Sequence, residues 1–163
     1  MVAPFDTERP KKYRASILDR LMDDEPGARP EKPPFRAQTR AAYARSVVRD
    51  LGYLFNTRTT KRFDVGPVAG PRTVLDFGVD DFTHLSPANY EDRDRIARSF
   101  RNAIEAYEPR LKINEVFVEE IADQHRSLFL RFDALLIGGG MTEPVSFGLV
   151  VDQSEGTVEL SGR

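Results

Sequence analysis

The chain has 163 residues, 40% hydrophobic and 31% charged, which is the composition of one folded domain with a real core rather than of a disordered chain. It contains no cysteine, so disulfides, thiolate metal sites, iron–sulfur clusters and cysteine nucleophiles are excluded, and a reducing compartment is the expectation. The net charge of -2 hides an asymmetry: residues 1–72 carry 15 Lys and Arg against 9 Asp and Glu, residues 73–163 carry 9 against 17, and the halves are therefore +6 and -8. Such polarity suits docking between subunits, or of one half on the other.

In chain order, the opening MVAPFDTERPKKYRAS has no apolar run after its charges, and nowhere do about 18 apolar residues follow one another. Neither a signal peptide nor a membrane helix is expected, and the cytoplasm is the expected location. Ser16 to Met22 predicts a short helix capped by Ser16, with Ile17, Leu18, Leu21 and Met22 on one side. Alone it would be marginal and would need a surface to dock on. Eight of the eleven prolines lie within residues 1–72, Pro26, Pro30, Pro33 and Pro34 among them, which predicts an extended linker. Residues 1–38 are thus expected to be an arm, and residues 39–163 a single domain.

From Thr39, a plausible N-cap, to Phe55 the residues Tyr43, Val47, Val48, Leu51, Leu54 and Phe55 recur at helical spacing. Gly52 inside that helix either weakens it or marks a close helix contact. After a Gly- and Pro-containing loop over 61–72, Thr73 to Gly78 is long enough for one turn or a brief strand. A second helix is expected with Ser86 and Pro87 at its start, acidic Glu91, Asp92 and Asp94 near its positive end, and Ile96, Phe100, Ile104 and Tyr107 as its apolar stripe. Pro109 ends it.

The period then changes to two, through Val116 and Val118, Leu128 to Leu136, Val145 to Val151, and a short run over Thr157 to Leu160. The Gly138-Gly139-Gly140 and Asp152 to Gly156 stretches are the turns. The fold class is α+β: N-terminal helices packed on a C-terminal antiparallel sheet of three to four strands.

Patterns that carry chemistry fail one after another. His84 and His125 stand in no ligand spacing, so no metal is expected. Ser154 and Ser161 lack the strand-turn-helix setting of a nucleophile elbow. The triple glycine leads into a strand and offers no helix N-terminus to phosphate, so no cofactor is expected. Glu108, Glu115, Glu119, Glu120 and Asp123 are carboxylates of the type a lysozyme-like hydrolase pairs, but alternation sends Glu119 and Glu120 to opposite faces. Arg40, Arg45, Arg49, Arg58, Lys61, Arg62 and Arg72, with Tyr43, Tyr53 and Phe63 among them, make a nucleic-acid reading the other alternative, against which the acidic second half argues. The expectation is no catalytic residue, no small-molecule substrate and no nucleic acid.

One tripeptide stands out where the second helix meets the first strand: Glu108-Pro109-Arg110. Its charges can pair with each other or with water, or, preorganised at a helix end, with a partner's opposite charges. Tyr107-Glu108-Pro109-Arg110-Leu111 resembles the EPR signature of the phage-tail baseplate wedge family, once labelled lysozymes, to which TssE of type VI secretion baseplates belongs. Ser16-Ile17-Leu18-Asp19-Arg20-Leu21 resembles that family's N-terminal helix. Ser46 to Leu51 with Leu54-Phe55-Asn56-Thr57-Arg58 resembles its long helix and the NTR after it. Thr73 to Gly78 with Asp81-Phe82 resembles its VLNYG-x-x-DF segment, with Asp76-Phe77 in place of Asn-Tyr.

The resemblance implies a structural baseplate wedge subunit of a contractile injection system. It implies binding to TssF and TssG, extending to TssK and the sheath, whose growth a strand edge would template. It also implies a bacterial cytoplasmic protein assembled into a baseplate docked at the inner membrane, with Glu108, Pro109 and Arg110 as partner-binding residues.

Overall fold

The computed structural model describes residues 13–22, 27, 37–60, 73–121 and 127–161. The four linker prolines, the loop over 61–72, Asp123 and His125 lie outside the described residues.

Two helices form for the reasons their sequences give. Helix α2, Arg40–Phe55, starts where the Thr39 side chain accepts a hydrogen bond from the Ala42 N–H at 3.2 Å, and it buries Tyr43, Val47, Leu51, Leu54 and Phe55. Each fully buried side chain of this size contributes roughly 1.5–3 kcal/mol. Gly52 is not a close-contact glycine, because a methyl there would meet only the Leu160 Cδ1 at an ordinary 3.8 Å. Helix α3, Tyr90–Tyr107, buries Ile96, Phe100, Ala103 and Ile104. It begins later than Ser86-Pro87 predicts: Pro87 lies in a turn, and Asn89 is the cap, accepting from the Glu91 N–H at 3.0 Å.

The sheet is antiparallel, in the order β3 (Leu111–Glu120), β4 (Ser127–Gly138), β5 (Met141–Asp152), β6 (Thr157–Ser161). A bulge between Ile113 and Glu115 shifts the register of β3. This one-residue slip lets odd-numbered Leu111 and Ile113 and even-numbered Val116 and Val118 all turn towards the core. Helix α3 packs on β3 while α2 packs on α3 and β6, so the two helices form one layer and the sheet the other.

The β4–β5 turn is tight, as the triple glycine predicts. Gly139 and Gly140, with φ of 59° and 76°, form the two-residue turn such a hairpin favours. Gly138 closes β4 against aromatic rings, because a Cβ there would lie 2.8 Å from atoms of both Tyr13 and Tyr43. Those two rings stack with centroids 4.7 Å apart. Tyr43 Oη donates to the Ile137 carbonyl at 2.8 Å and Tyr13 Oη to Glu143 at 2.9 Å. Tyr13 belongs to β1 (Tyr13–Arg14), which pairs with β2 (Ala37–Gln38), and it is wholly buried in the core.

Between β1 and β2 lies helix α1, Ile17–Leu21. Its capping box is complete: Ser16 Oγ accepts from the Asp19 N–H at 3.0 Å, and the Asp19 carboxylate accepts from Ser16 N–H and Oγ. The apolar side predicted to dock is not covered, for Ile17 is 74% and Leu21 77% exposed.

Candidate functional site

Glu108, Pro109 and Arg110 form the junction between α3 and β3, and backbone bonds fix it on three sides. The Glu108 N–H donates to the Ile104 carbonyl at 2.8 Å, closing α3, and the Leu111 N–H donates to the Glu108 carbonyl at 3.0 Å. The Ile137 N–H donates to the Arg110 carbonyl at 2.7 Å, which ties the junction to the end of β4.

The Glu108 side chain is buried, with 4% of it accessible. It accepts from the Arg110 N–H at 3.2 Å, from Nε at 2.6 Å, and from Nη2 on its second oxygen. Arg110 in turn donates from Nη2 to Asp50 at 2.7 Å and from Nη1 to Ser46 Oγ at 3.1 Å, and its guanidinium lies 5.8 Å from the Tyr43 ring centroid. Burial alone would lower the Arg110 pKa, but the hydrogen bonds and charge of Glu108, then those of Asp50, raise it well above its ordinary value. Arg110 is fully charged at any physiological pH.

The charges continue outward. Asp50 also accepts from Arg49, Nε at 3.0 Å and Nη2 at 2.8 Å, and Arg49 Nη2 reaches Asp19 on α1 at 2.7 Å. Glu108, Arg110, Asp50, Arg49 and Asp19 therefore make one alternating chain of five charges across α3, α2 and α1. Three of the segments singled out in the sequence meet in it.

The remaining segments interlock elsewhere. Asn56 uses its amide as a strand would use its backbone: Nδ2 donates to the Val158 carbonyl at 3.1 Å and Oδ1 accepts from the Val158 N–H at 3.2 Å. Arg58 donates to the carbonyls of Phe55 and Gly156 and lies 4.3 Å from the Phe82 ring centroid. Its pKa is lowered, by burial above all. Residues Thr57 to Thr59 run parallel to Val79, bonded through Val79 N–H to Thr57 O at 2.9 Å and Thr59 N–H to Val79 O at 3.0 Å. Gly78, at φ of 120°, makes that approach possible, since a Cβ there would collide with the Thr57 carbonyl. Asp76, where an asparagine was expected, caps its own 3-10 turn, Val74–Asp76, by accepting from the Thr73 N–H at 2.6 Å and Oγ1 at 3.0 Å.

Beside Pro109 lies a groove of about 250 Å³ lined by Leu18, Tyr53, Phe77, Tyr107, Glu108, Pro109 and Arg110 among others. Phe77 meets the Tyr107 ring edge-on at 5.3 Å. A second cavity, of about 270 Å³, is lined by Asp80, Asp81, His84, Arg95 and Ser99 among others. Its polar groups bond to neighbours: Ser99 Oγ accepts from the Asp80 N–H at 3.1 Å, and Asp81 accepts from Thr83 N–H and Oγ1. Those bonds to Thr83 hold the Asp81 carboxyl below its ordinary range, against burial and with help from His84 and Arg58.

Among the described residues no group of three or more His, Asp and Glu is placed to hold a metal ion, and no helix is long and apolar enough to cross a membrane. Of the arginines behind the nucleic-acid reading, Arg40 pairs with Glu143, and Arg49 and Arg58 are engaged as described. Lys61, Arg62, Phe63 and Arg72 lie outside the described residues. Of the hydrolase carboxylates, Glu108 is locked to Arg110, and Glu115, Glu119 and Glu120 are exposed along β3.

The ion chain is what sequence reasoning missed. Arg49 and Asp50 are consecutive residues of a helix that otherwise reads as solvated on that side, and nothing in their spacing names Asp19 or Arg110 as their partners.

No curated protein matches the chain. Among solved structures, "The baseplate complex from the type VI secretion system" contains a similar chain, at 15% identity and a TM-score of 0.44, covering 76% of this chain and 97% of that one. The family model "Baseplate wedge protein gp25" matches residues 41–139, from the first turn of α2 to the β4–β5 turn. That span is more than half of the sequence, and the chain belongs to the baseplate wedge protein gp25 family.

Proposed function

We propose that this chain is the wedge subunit of a type VI secretion baseplate, a structural part without catalytic activity that binds TssF and TssG, with TssK and the sheath as further neighbours. Membership of the wedge family carries the reading, together with the segments resembling TssE. Its place of work is the bacterial cytoplasm, on a baseplate docked at the inner membrane, and its globular unit is 39–163 with 1–38 as an arm.

In this reading Glu108, Pro109 and Arg110 are the partner-binding residues, each in a different way. Glu108 holds Arg110, and Arg110 also holds Asp50 and Ser46; in this reading the pair serves partner binding by fixing the guanidinium that lines the groove. Pro109 is exposed and Tyr53 is 58% exposed, and both wall the groove. In this reading a side chain of TssF or TssG enters the groove between Pro109 and Tyr53, over the fixed guanidinium.

For the sheath, the open edge beside β6 is the better template. β6 pairs only with Gly148 to Asp152 of β5, whereas β4 pairs with β5 along its whole length. Pro144 falls in the stretch of β5 that β6 does not reach, an edge position that proline tolerates and where its missing N–H takes one donor from an added strand. The β3 edge is bulged and lined by Lys112, Glu115, Glu119 and Glu120, features that discourage strand addition.

The test is co-purification of Pro109→Glu and Tyr53→Ser variants with co-expressed TssF and TssG. Loss of the complex, with an unchanged melting temperature, is the expected result. Full recovery of the complex by both variants would overturn the junction as the contact.

A further inference from the structure

The groove beside Pro109 is lined by α2, by Phe77, by the junction of α3 with β3, and by α1, which supplies Leu18. The first three lie within the family-matched span 41–139, whereas α1 lies before it. A helix of five residues, Ile17–Leu21, has almost no stability of its own. None of its residues is buried, so packing of its own side chains does not hold it either. What places Leu18 at the groove is therefore found in the residues around it.

Two latches do this. The first is Tyr13, wholly buried: its ring stacks on Tyr43, its hydroxyl donates to Glu143 at 2.9 Å, and Arg40 pairs with the same carboxylate. Tyr13 and Arg14 pair with Gln38 and Ala37 just ahead of α2, and Ala15 is buried, so the chain is fixed up to the Ser16 cap. The second latch is Asp19, the residue after Leu18, whose carboxylate meets Arg49 at 2.7 Å. Arg49 also holds Asp50, and Asp50 holds Arg110. Asp50 and Arg110 both line the groove, so the neighbour of Leu18 is tied to the ion chain that fixes the junction. Leu18 keeps 47% of its surface exposed, which is the state of a lining residue with room beside it and not of a plug.

We infer that residues 13–22 are a strap that completes the groove: Leu18 contacts the side chain that enters it, and Tyr13 and Asp19 are positioning residues that hold Leu18 there. The inference rests on the reading of the groove as the contact for TssF and TssG. It makes the arm a part of that contact, where the arm's linker prolines alone suggest a tether.

The test titrates the full chain into the TssF–TssG complex. Leu18→Ser is expected to weaken binding about fivefold, a difference of about 1 kcal/mol. Asp19→Ala, which removes both the capping box and the ion pair, is expected to have a similar effect. The double variant should lose no more than the larger single effect, because a latch that acts through Leu18 cannot add to the loss of Leu18. Tyr13→Ala should also weaken binding, and Tyr13→Phe, which keeps the stacked ring, should restore most of what is lost. Should Tyr13→Ala fold poorly, Leu18→Ser and Asp19→Ala, at the surface, carry the test. A readout without the partner is a nitroxide on Leu21→Cys, in a chain that has no other cysteine: its mobility should rise on Asp19→Ala. Parent-like binding by Leu18→Ser and Asp19→Ala, with the complex lost in Pro109→Glu, would overturn the strap and leave the groove reading standing. Parent-like binding by Pro109→Glu would overturn that reading and the strap with it. Additive losses in the double variant, or unchanged mobility, would show that Asp19 does not act through Leu18. Tighter binding by Asp19→Ala would make α1 a lid over the groove, and that too would overturn the inference.

Discussion

The helix-to-sheet junction and helix α1 lie at opposite ends of the same chain of five charges, yet they are built in opposite ways. At the junction the carboxylate is buried, and its cation is held by three groups on two elements. At α1 the carboxylate of Asp19 faces inward and the apolar side chains outward. Motif residues are therefore not all of one kind. Glu108 and Arg110 have partners inside the fold, while Ile17 and Leu21 are exposed.

The strongest way to break this contrast is Arg110→Ala. It leaves Glu108 buried without its cation, and breaking such a pair costs about 3–5 kcal/mol. Urea denaturation should show a loss of that size, with a smaller one when Glu108 and Arg110 are replaced together by Leu and Met, because no orphaned charge then remains. Native stability of Arg110→Ala would mean that the pair faces outward after all and that the junction resembles α1.

Next in size is Gly78→Ala, expected to cost about 3 kcal/mol because it adds left-handed backbone strain to a collision with the Thr57 carbonyl. Asn56→Ala should cost about 1–2 kcal/mol, since it strips two bonds from the Val158 backbone. Both are read by thermal melting. Both sharpen the contrast, for they place the segments around residues 56–58 and 73–78 with the junction, on the side of folding.

How much of this the sequence discloses depends on the range of the interaction. Helices α2 and α3 and the four strands are local, written in periods of 3.6 and 2, and they stand where those periods put them. The start of α3 at Tyr90 is a competition between two local caps, which Asn89 wins over Ser86. The bulge in β3 is visible only as a change from odd to even apolar positions between Ile113 and Val116. The pairing of Glu108 with Arg110 is an option that the tripeptide itself offers. What joins it to Asp50 and Asp19 spans 60 and 30 residues of chain, and no short pattern encodes contacts of that length. For the same reason α1 reads correctly as a capped helix with one apolar side, while the direction in which that side points is decided by Arg49, a residue on another element.

The smallest expected effect bears on α1 most directly. Burial alone would raise the Asp19 carboxyl, but hydrogen bonds from Ser16 Oγ, Arg49 and the Ser16 N–H, with the charge of Arg49, hold it below its ordinary range. A carboxyl depressed by folding stabilises the native state above its unfolded pKa of about 4, and that stability is lost as pH falls through the folded value. Asp19→Asn keeps the shape and removes the charge. It should cost about 1 kcal/mol near pH 7, and the difference from the parent should shrink steadily as both are melted at pH values below about 4. The loss should be confined to α1, seen as faster amide exchange at Asp19 and Arg20 with β4 unchanged. If exchange rose equally in β4, α1 would be part of the cooperative core, and its exposed leucines would then need an explanation inside the fold.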